Sequence, residues 1–274
     1  MADSFGPTVS ADWLAAHLDD PDVAVVDVRW SLDDGPKRAA FEAGHIESAV
    51  FADLDVDLSS PASAEAGRHP LPNAVDFAAA MGRLGIGDDT KVVAYDDAGG
   101  VIAARLWWML DVIGRPAAVL DGGVGAWPGA MASGPAAAAP GDFTAVEWPA
   151  DRVITKRDLA ASLGGAMTIL DARAPDRYAQ GGAVDPRPGH IPGAVNAPAG
   201  ANLADGHFRP DDELAAHYAE LGADGDDVVA YCGSGVTACA DLLARKKAGL
   251  PDAKLYVGSW SQWGNDDDLP AEVS

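Results

Sequence analysis

Cys232 is the residue in this chain best placed to do chemistry. It follows a short apolar run, Val228-Val229-Ala230-Tyr231, and precedes Gly233-Ser234-Gly235, after which Leu242, Leu243 and Arg245 continue at helical spacing toward a basic end. The pattern predicts a strand, a tight loop and a helix. At the first loop position, backbone N–H groups of the loop and of the helix N-terminus can point at one atom. These donors have no partner inside the helix, and the helix dipole adds partial positive charge, so an anion is favoured there. A cysteine so held is expected to be a thiolate, the form that acts as a nucleophile at neutral pH. Gly233 and Gly235 let the backbone crowd round a bulky sulfur, or a sulfur carrying a second sulfur. A buried packing cysteine is the bland alternative, and Gly-Ser-Gly suits anion cradling better.

The run Cys232-Gly-Ser-Gly-Val-Thr-Ala238 resembles the active-site loop of the rhodanese superfamily, in the form typical of two-domain 3-mercaptopyruvate sulfurtransferases. Thiosulfate-specialised members carry a basic pair where Gly233 and Ser234 stand here. The resemblance implies double displacement: Cys232 takes a sulfane sulfur from a small anionic donor and passes it to cyanide or to a thiol, a thioredoxin-like protein included. It implies no cofactor. A phosphatase with a related fold has an arginine six residues after its cysteine, and Ala238 at that position argues against phosphate chemistry. A non-enzymatic persulfide carrier remains the competing reading from another class.

The elements that must position this loop occur twice. Val9-Ser10 and the following Asp12-Trp-Leu-Ala-Ala16 match Ile154-Thr155 and Arg157-Asp-Leu-Ala-Ala161, with Ser10 and Thr155 as helix N-caps. Val25-Val-Asp-Val-Arg29 matches Ile169-Leu-Asp-Ala-Arg173, Gly44-His-Ile46 matches Gly189-His-Ile191, and Gly122–Trp127 matches Gly258–Trp263. Strands alternating with helices predict an α/β fold of two tandem rhodanese-like domains, each a mostly parallel sheet flanked by helices. The expected boundaries are 1–135 for the first domain, 136–150 for an Ala- and Pro-rich linker and 151–274 for the catalytic domain. Ligands of such sheets sit beyond the C-terminal strand ends, where Cys232 falls. Asp96 takes its place in the first copy, and a carboxylate cannot carry sulfur, so that domain is expected to be silent.

Further site residues follow from the resemblance. Ser234 and His45, from the first Gly-His-Ile segment, are the expected proton relay, with Asp33 or Asp34 as acidic partner. Arg177 and Arg187 are the expected clamp for a keto-acid carboxylate, a task for fixed, permanently charged donors. Gly233, Gly235, Val236 and Thr237 complete the substrate-binding set. Arg173 is assigned to structure, because Arg29 repeats it beside an equivalent Asp. Cys239, aligned with Ala103, is expected as a buried small residue, and Trp107, Trp108 and Trp263 as packing. Val257 and Gln262 replace the Asp and Glu common in relatives, a departure that puts the hydrogen-bond role of these two positions in doubt.

The chain of 274 residues, 48% apolar with eight Trp, is long enough for two cores. Its net charge of −23 repels nucleic acid and anionic membrane surfaces, and resembles the acidic surfaces of proteins from salt-loving organisms. Two cysteines seven residues apart make no disulfide framework, which points to a reducing, cytoplasmic setting. The first residues lack the basic start and apolar core of a signal peptide, no run is long enough to span a membrane, and no metal-ligand spacing occurs.

Overall fold

A computed structural model describes residues 5–273; residues 1–4, on which the signal-peptide reading partly rests, and residue 274 lie outside it. The chain divides into two units. In the first, a five-stranded parallel sheet runs in the order Thr8–Val9, Ala117–Leu120, Lys91–Tyr95, Val23–Asp27, Val50–Phe51. Its strands bury nearly continuous apolar stretches, as a parallel sheet covered on both faces requires. Val25, Val93, Tyr95, Ala118 and Leu120 form a core with Trp13, Phe41 and Phe51. Ser10 caps the Ala11–His17 helix as expected, accepting the Trp13 N–H.

The second unit repeats the plan with four parallel strands in the order Val195–Asn196, Thr168–Asp171, Val228–Tyr231, Lys254–Leu255. A single bridge from Val153 to Leu255 stands where the first unit has its Thr8–Val9 strand. Thr155 caps the Lys156–Ser162 helix. Both units also repeat one tie. Asp27 pairs with Arg29 and Asp171 with Arg173, each at 2.6 Å, and each arginine donates onward to Gly44 O or Gly189 O. Tyr95 and Tyr231 accept the N–H of Ile46 and Ile191. The structural role expected for Arg173 is therefore what it has.

The units are not the contiguous blocks that the sequence predicts. Pro61–Leu71 belongs to the second unit and Asp205–Phe208 to the first. The expected linker packs on the first unit as far as Trp148: Gly141 N–H donates to Gly82 O, Phe143 is buried edge-on to Phe77, and Trp148 Nε1 donates to Pro72 O. Its apolar residues and two donors were reason enough for it to fold back.

Candidate active site

Cys232 lies at the C-terminal end of the Val228–Tyr231 strand, and the Ala238–Lys247 helix starts six residues on. Its Sγ receives the Gly235 N–H at 3.1 Å and the Ser234 N–H at 3.5 Å. The thiol is 2% exposed and free. Gly235 has φ +76°, and a Cβ there would lie 2.5 Å from Val257 O, so only glycine fits this turn. Val236 is buried, and its carbonyl and that of Thr237 accept from the N–H groups of Cys239 and Ala240, while Ser234 and Gly235 donate to the sulfur.

The short Ser259–Trp263 helix holds the loop from below. Trp260 N–H donates to Cys232 O and Ser261 N–H to Gly233 O, both at 2.9 Å. Ser259 Oγ accepts the Cys232 N–H and donates to Tyr256 O. Its backbone sits at φ +52°, an uncommon state for a residue with a side chain, and a local strain held by these bonds.

Ser234 Oγ meets a histidine, but not the expected one. His69 Nδ1 lies 2.8 Å from it, and both side chains are buried. Ser63 and Gly67 exchange backbone hydrogen bonds across a tight turn, and Arg68 N–H donates to Ser261 Oγ, which fixes the two residues that follow the turn. Gly67 is at φ +91°, with no room for a Cβ against Gly258 O. His45 instead packs within the first unit, its ring stacked on Phe41 at 3.9 Å and its Nδ1 2.8 Å from Phe41 O. The repeat explains why: His190 stacks on Tyr178 at 3.8 Å with Nδ1 on Tyr178 O, so the Gly-His-Ile histidine is structural in both copies. Asp34 closes a turn with Ser31 and is exposed, and Asp33 beside it is exposed as well.

Of the two expected arginines, Arg177 reaches the loop. It forms a bidentate pair with the buried Asp185 at 3.0 and 2.5 Å, and a Cβ on Gly233 would lie 2.8 Å from its Nη2. Arg187 turns away: its Nη2 donates to Asp266 O and Leu269 O, and its guanidinium lies over Trp260. Those two carbonyls of the C-terminal segment hold its Nη2 away from the loop, while its Nε is buried without a hydrogen-bond partner. The neighbour of Arg177 at the loop is Arg68, whose Nη2 lies 3.3 Å from the same Gly233 point. Burial and the like charge of Arg177 push the Arg68 pKa down, while Cys232 and Asp185 pull it up.

The other expectations are placed simply. Cys239 is fully buried with Sγ on Gly235 O, and Trp263 is core. Gln262 does hold hydrogen bonds, accepting from Tyr256 OH and donating to Glu65 O. Among the described residues no group of three or more His, Cys, Asp or Glu could hold a metal, and no helix is long and apolar enough to cross a membrane. Sequence reasoning missed His69 and Arg68 because their segment has no partner in the repeat. Its signal was the one Arg-His pair in the chain, set between Gly67 and Pro70.

The family described as Rhodanese-like domain matches residues 10–130 and 155–266. A Pseudomonas aeruginosa protein named "Probable 3-mercaptopyruvate sulfurtransferase" is 42% identical over 274 residues, covering 96% of each chain. The human 3-mercaptopyruvate sulfurtransferase is 38% identical over 93% of this chain and 91% of its own. Among solved structures, a 3-mercaptopyruvate sulfotransferase from Escherichia coli superposes with a TM-score of 0.81 at 35% identity, covering 93% of this chain and 99% of that one.

Proposed function

The chain belongs to the rhodanese family, and from that premise we propose that it is a sulfurtransferase that moves sulfane sulfur from 3-mercaptopyruvate through a Cys232 persulfide to a thiol or cyanide. One observation carries this reading: a free cysteine whose Sγ sits under the Gly235 and Ser234 N–H groups at the end of a parallel strand. The thiolate attacks the donor sulfur, an S–S bond forms, the C–S bond breaks, and its electron pair passes to an enolate. The donor's thiol proton ends on that carbon, giving pyruvate and Cys232–S–S⁻. Ser234 and His69, in hydrogen-bond contact, form the pair suited to carrying that proton. The acceptor then attacks the outer sulfur, the S–S bond breaks, and the Cys232 thiolate returns.

The first unit is a structural partner in this reading, because Asp96 fills the place of the nucleophile. A reducing, cytoplasmic setting suits a site that runs on a free thiol, and the charge of −23 suits a salt-rich one. The test is steady-state transfer to cyanide with 3-mercaptopyruvate and with thiosulfate, at low and high salt. A higher kcat/KM for 3-mercaptopyruvate is expected, lost in Cys232→Ser and kept in Cys239→Ser. A preference for thiosulfate would overturn the donor, equal loss in both variants would overturn the nucleophile, and no turnover with either donor would leave a carrier.

A further inference from the structure

Two guanidinium groups converge on Gly233, and one of them has no ion pair of its own, with the charges of Asp185 and Cys232 acting on it from further away. Arg177 is neutralised by the bidentate Asp185. Arg68 makes no ion pair among the described residues, and its Nε is buried without a hydrogen-bond partner. A half-buried cation beside a second cation is costly unless an anion joins them. Arg68 also lines a cavity of about 420 Å³ within the second unit, together with Asp185, Ser63, Ser261 and Asn265. It thus bridges that cavity and the Cys232 loop, and its backbone is pinned by Ser261 Oγ and by the turn at Gly67.

We propose that Arg68, in the place expected of Arg187, is the second arm of the arginine pair that receives the carboxylate of the sulfur donor beside Cys232. Arg177, steered by Asp185, supplies the first arm, and both Nη2 atoms lie within 3.3 Å of the point a Gly233 side chain would occupy. Gly233 has no glycine-only backbone conformation; a side chain there would enter the space in which the two arginine ends meet and would displace them. The planar fork of arginine matches a carboxylate and sets it at a fixed distance from the sulfur. The identity of that carboxylate as a mercapto keto acid rests on the function proposed above; the anion-receiving role does not.

The test uses the full chain and two alkylating reagents of one chemistry. Iodoacetate and iodoacetamide both lose iodide to the Cys232 thiolate and leave a carbon on sulfur, and only iodoacetate brings a carboxylate. The ratio of their rates at Cys232, read by mass spectrometry, cancels any change in thiolate fraction. In Arg68→Gln the ratio is expected to fall about tenfold, as loss of a charged hydrogen bond predicts. Arg68→Lys should recover part of it, and Arg187→Gln should leave it unchanged. KM for 3-mercaptopyruvate should rise more than kcat falls in Arg68→Gln. An unchanged ratio in folded Arg68→Gln, or an equal fall in Arg187→Gln, overturns the assignment. If Arg68→Gln does not fold, an unaltered ratio in Arg68→Lys together with a fall in Arg187→Gln does so. Absence of turnover in the parent chain would sink the function and leave the alkylation ratio to decide on Arg68.

Discussion

Asp96 and Cys232 occupy the same place in the two halves, and their cradles are filled differently. The Asp96 carboxylate is fully buried, with Oδ1 accepting from Ala98 and Gly100 at 2.8 and 2.7 Å and Oδ2 from Ile102 and Ala103 at 2.6 and 2.8 Å. Cys232 offers one acceptor atom and takes two N–H groups. A carboxylate runs Cβ, Cγ, Oδ; a persulfide runs Cβ, Sγ, Sδ. The first unit therefore holds permanently a carboxyl group of the shape that the second would hold only when loaded; burial pushes the Asp96 pKa up, against the four backbone N–H bonds that pull it down. The comparison separates two uses of one loop, in which a fixed acceptor ties the loop together and a transferable one would perform the reaction.

The largest effect expected from this contrast comes from removing the fixed acceptor. Asp96→Ala leaves four buried N–H donors without their acceptor and should cost roughly 4 kcal/mol of first-unit stability. The midpoint of urea unfolding should drop accordingly, while kcat/KM of the protein still folded stays near the parent value. A variant of unchanged stability would show that the four bonds are not what holds the loop. A folded variant that has lost transfer would show that the first unit is more than structural.

Next comes the helix behind each loop. Nine residues after Asp96 stands Arg105, and nine after Cys232 stands Asp241, both buried. Arg105 donates to Leu58 O, whereas Asp241 accepts from Asn202 Nδ2 at 2.7 Å with Tyr218 OH close by. Burial pushes the Asp241 pKa up to about 8, with the charge of Asp171 adding to the rise and Asn202, Tyr218 and Arg245 opposing it. Its unfolded value is about 3.9, so the folded state binds the extra proton between those limits. The stability it contributes is complete below about pH 4 and is lost as pH rises toward 8. Between pH 5 and pH 7 the loss should be roughly 2.6 kcal/mol. Asp241→Asn keeps an acceptor for Asn202 and cannot titrate, so its stability curve should be flatter. Parallel curves for both proteins would refute the assignment.

The fold and the cradled cysteine were legible because both are local: a strand, two glycines and a helix leave their pattern in consecutive residues, and the repeat reports the strand and helix twice. The resemblance marked His45 as a relay candidate, and the repeat contained the correction, since His190 recurs at the equivalent place and packs in the same way. His69 and Arg68 were not legible as site residues. Their place depends on a turn between Ser63 and Gly67 and on Ser261 across 193 residues of chain, and no spacing rule encodes such a contact. Arg187 shows the reverse limit. Its position in the sequence suited the clamp, but the carbonyls of Asp266 and Leu269, which lie far along the chain, are what it satisfies.

The smallest effect sharpens the comparison at one backbone position. Gly123 in the first unit, at φ +59°, packs against Asp96 O, and Val124 N–H donates to that carbonyl as Trp260 N–H does to Cys232 O. The residue equivalent to Gly123 is Ser259, at φ +52°. The first unit uses the residue that adopts this backbone freely, and the second accepts a strain of about 1 kcal/mol in exchange for a hydroxyl. That hydroxyl bonds Cys232 N–H and Tyr256 O, worth about as much again. Ser259→Gly should therefore change global stability by less than about 1 kcal/mol, because relief of strain and loss of bonds nearly cancel. Transfer should still slow, by a few-fold in kcat with KM unaltered, since the nucleophile's backbone loses its fixed acceptor. Unchanged kcat in Ser259→Gly would mean that the strand and the Trp260 bond alone fix Cys232, and that the strained serine has no part in its positioning.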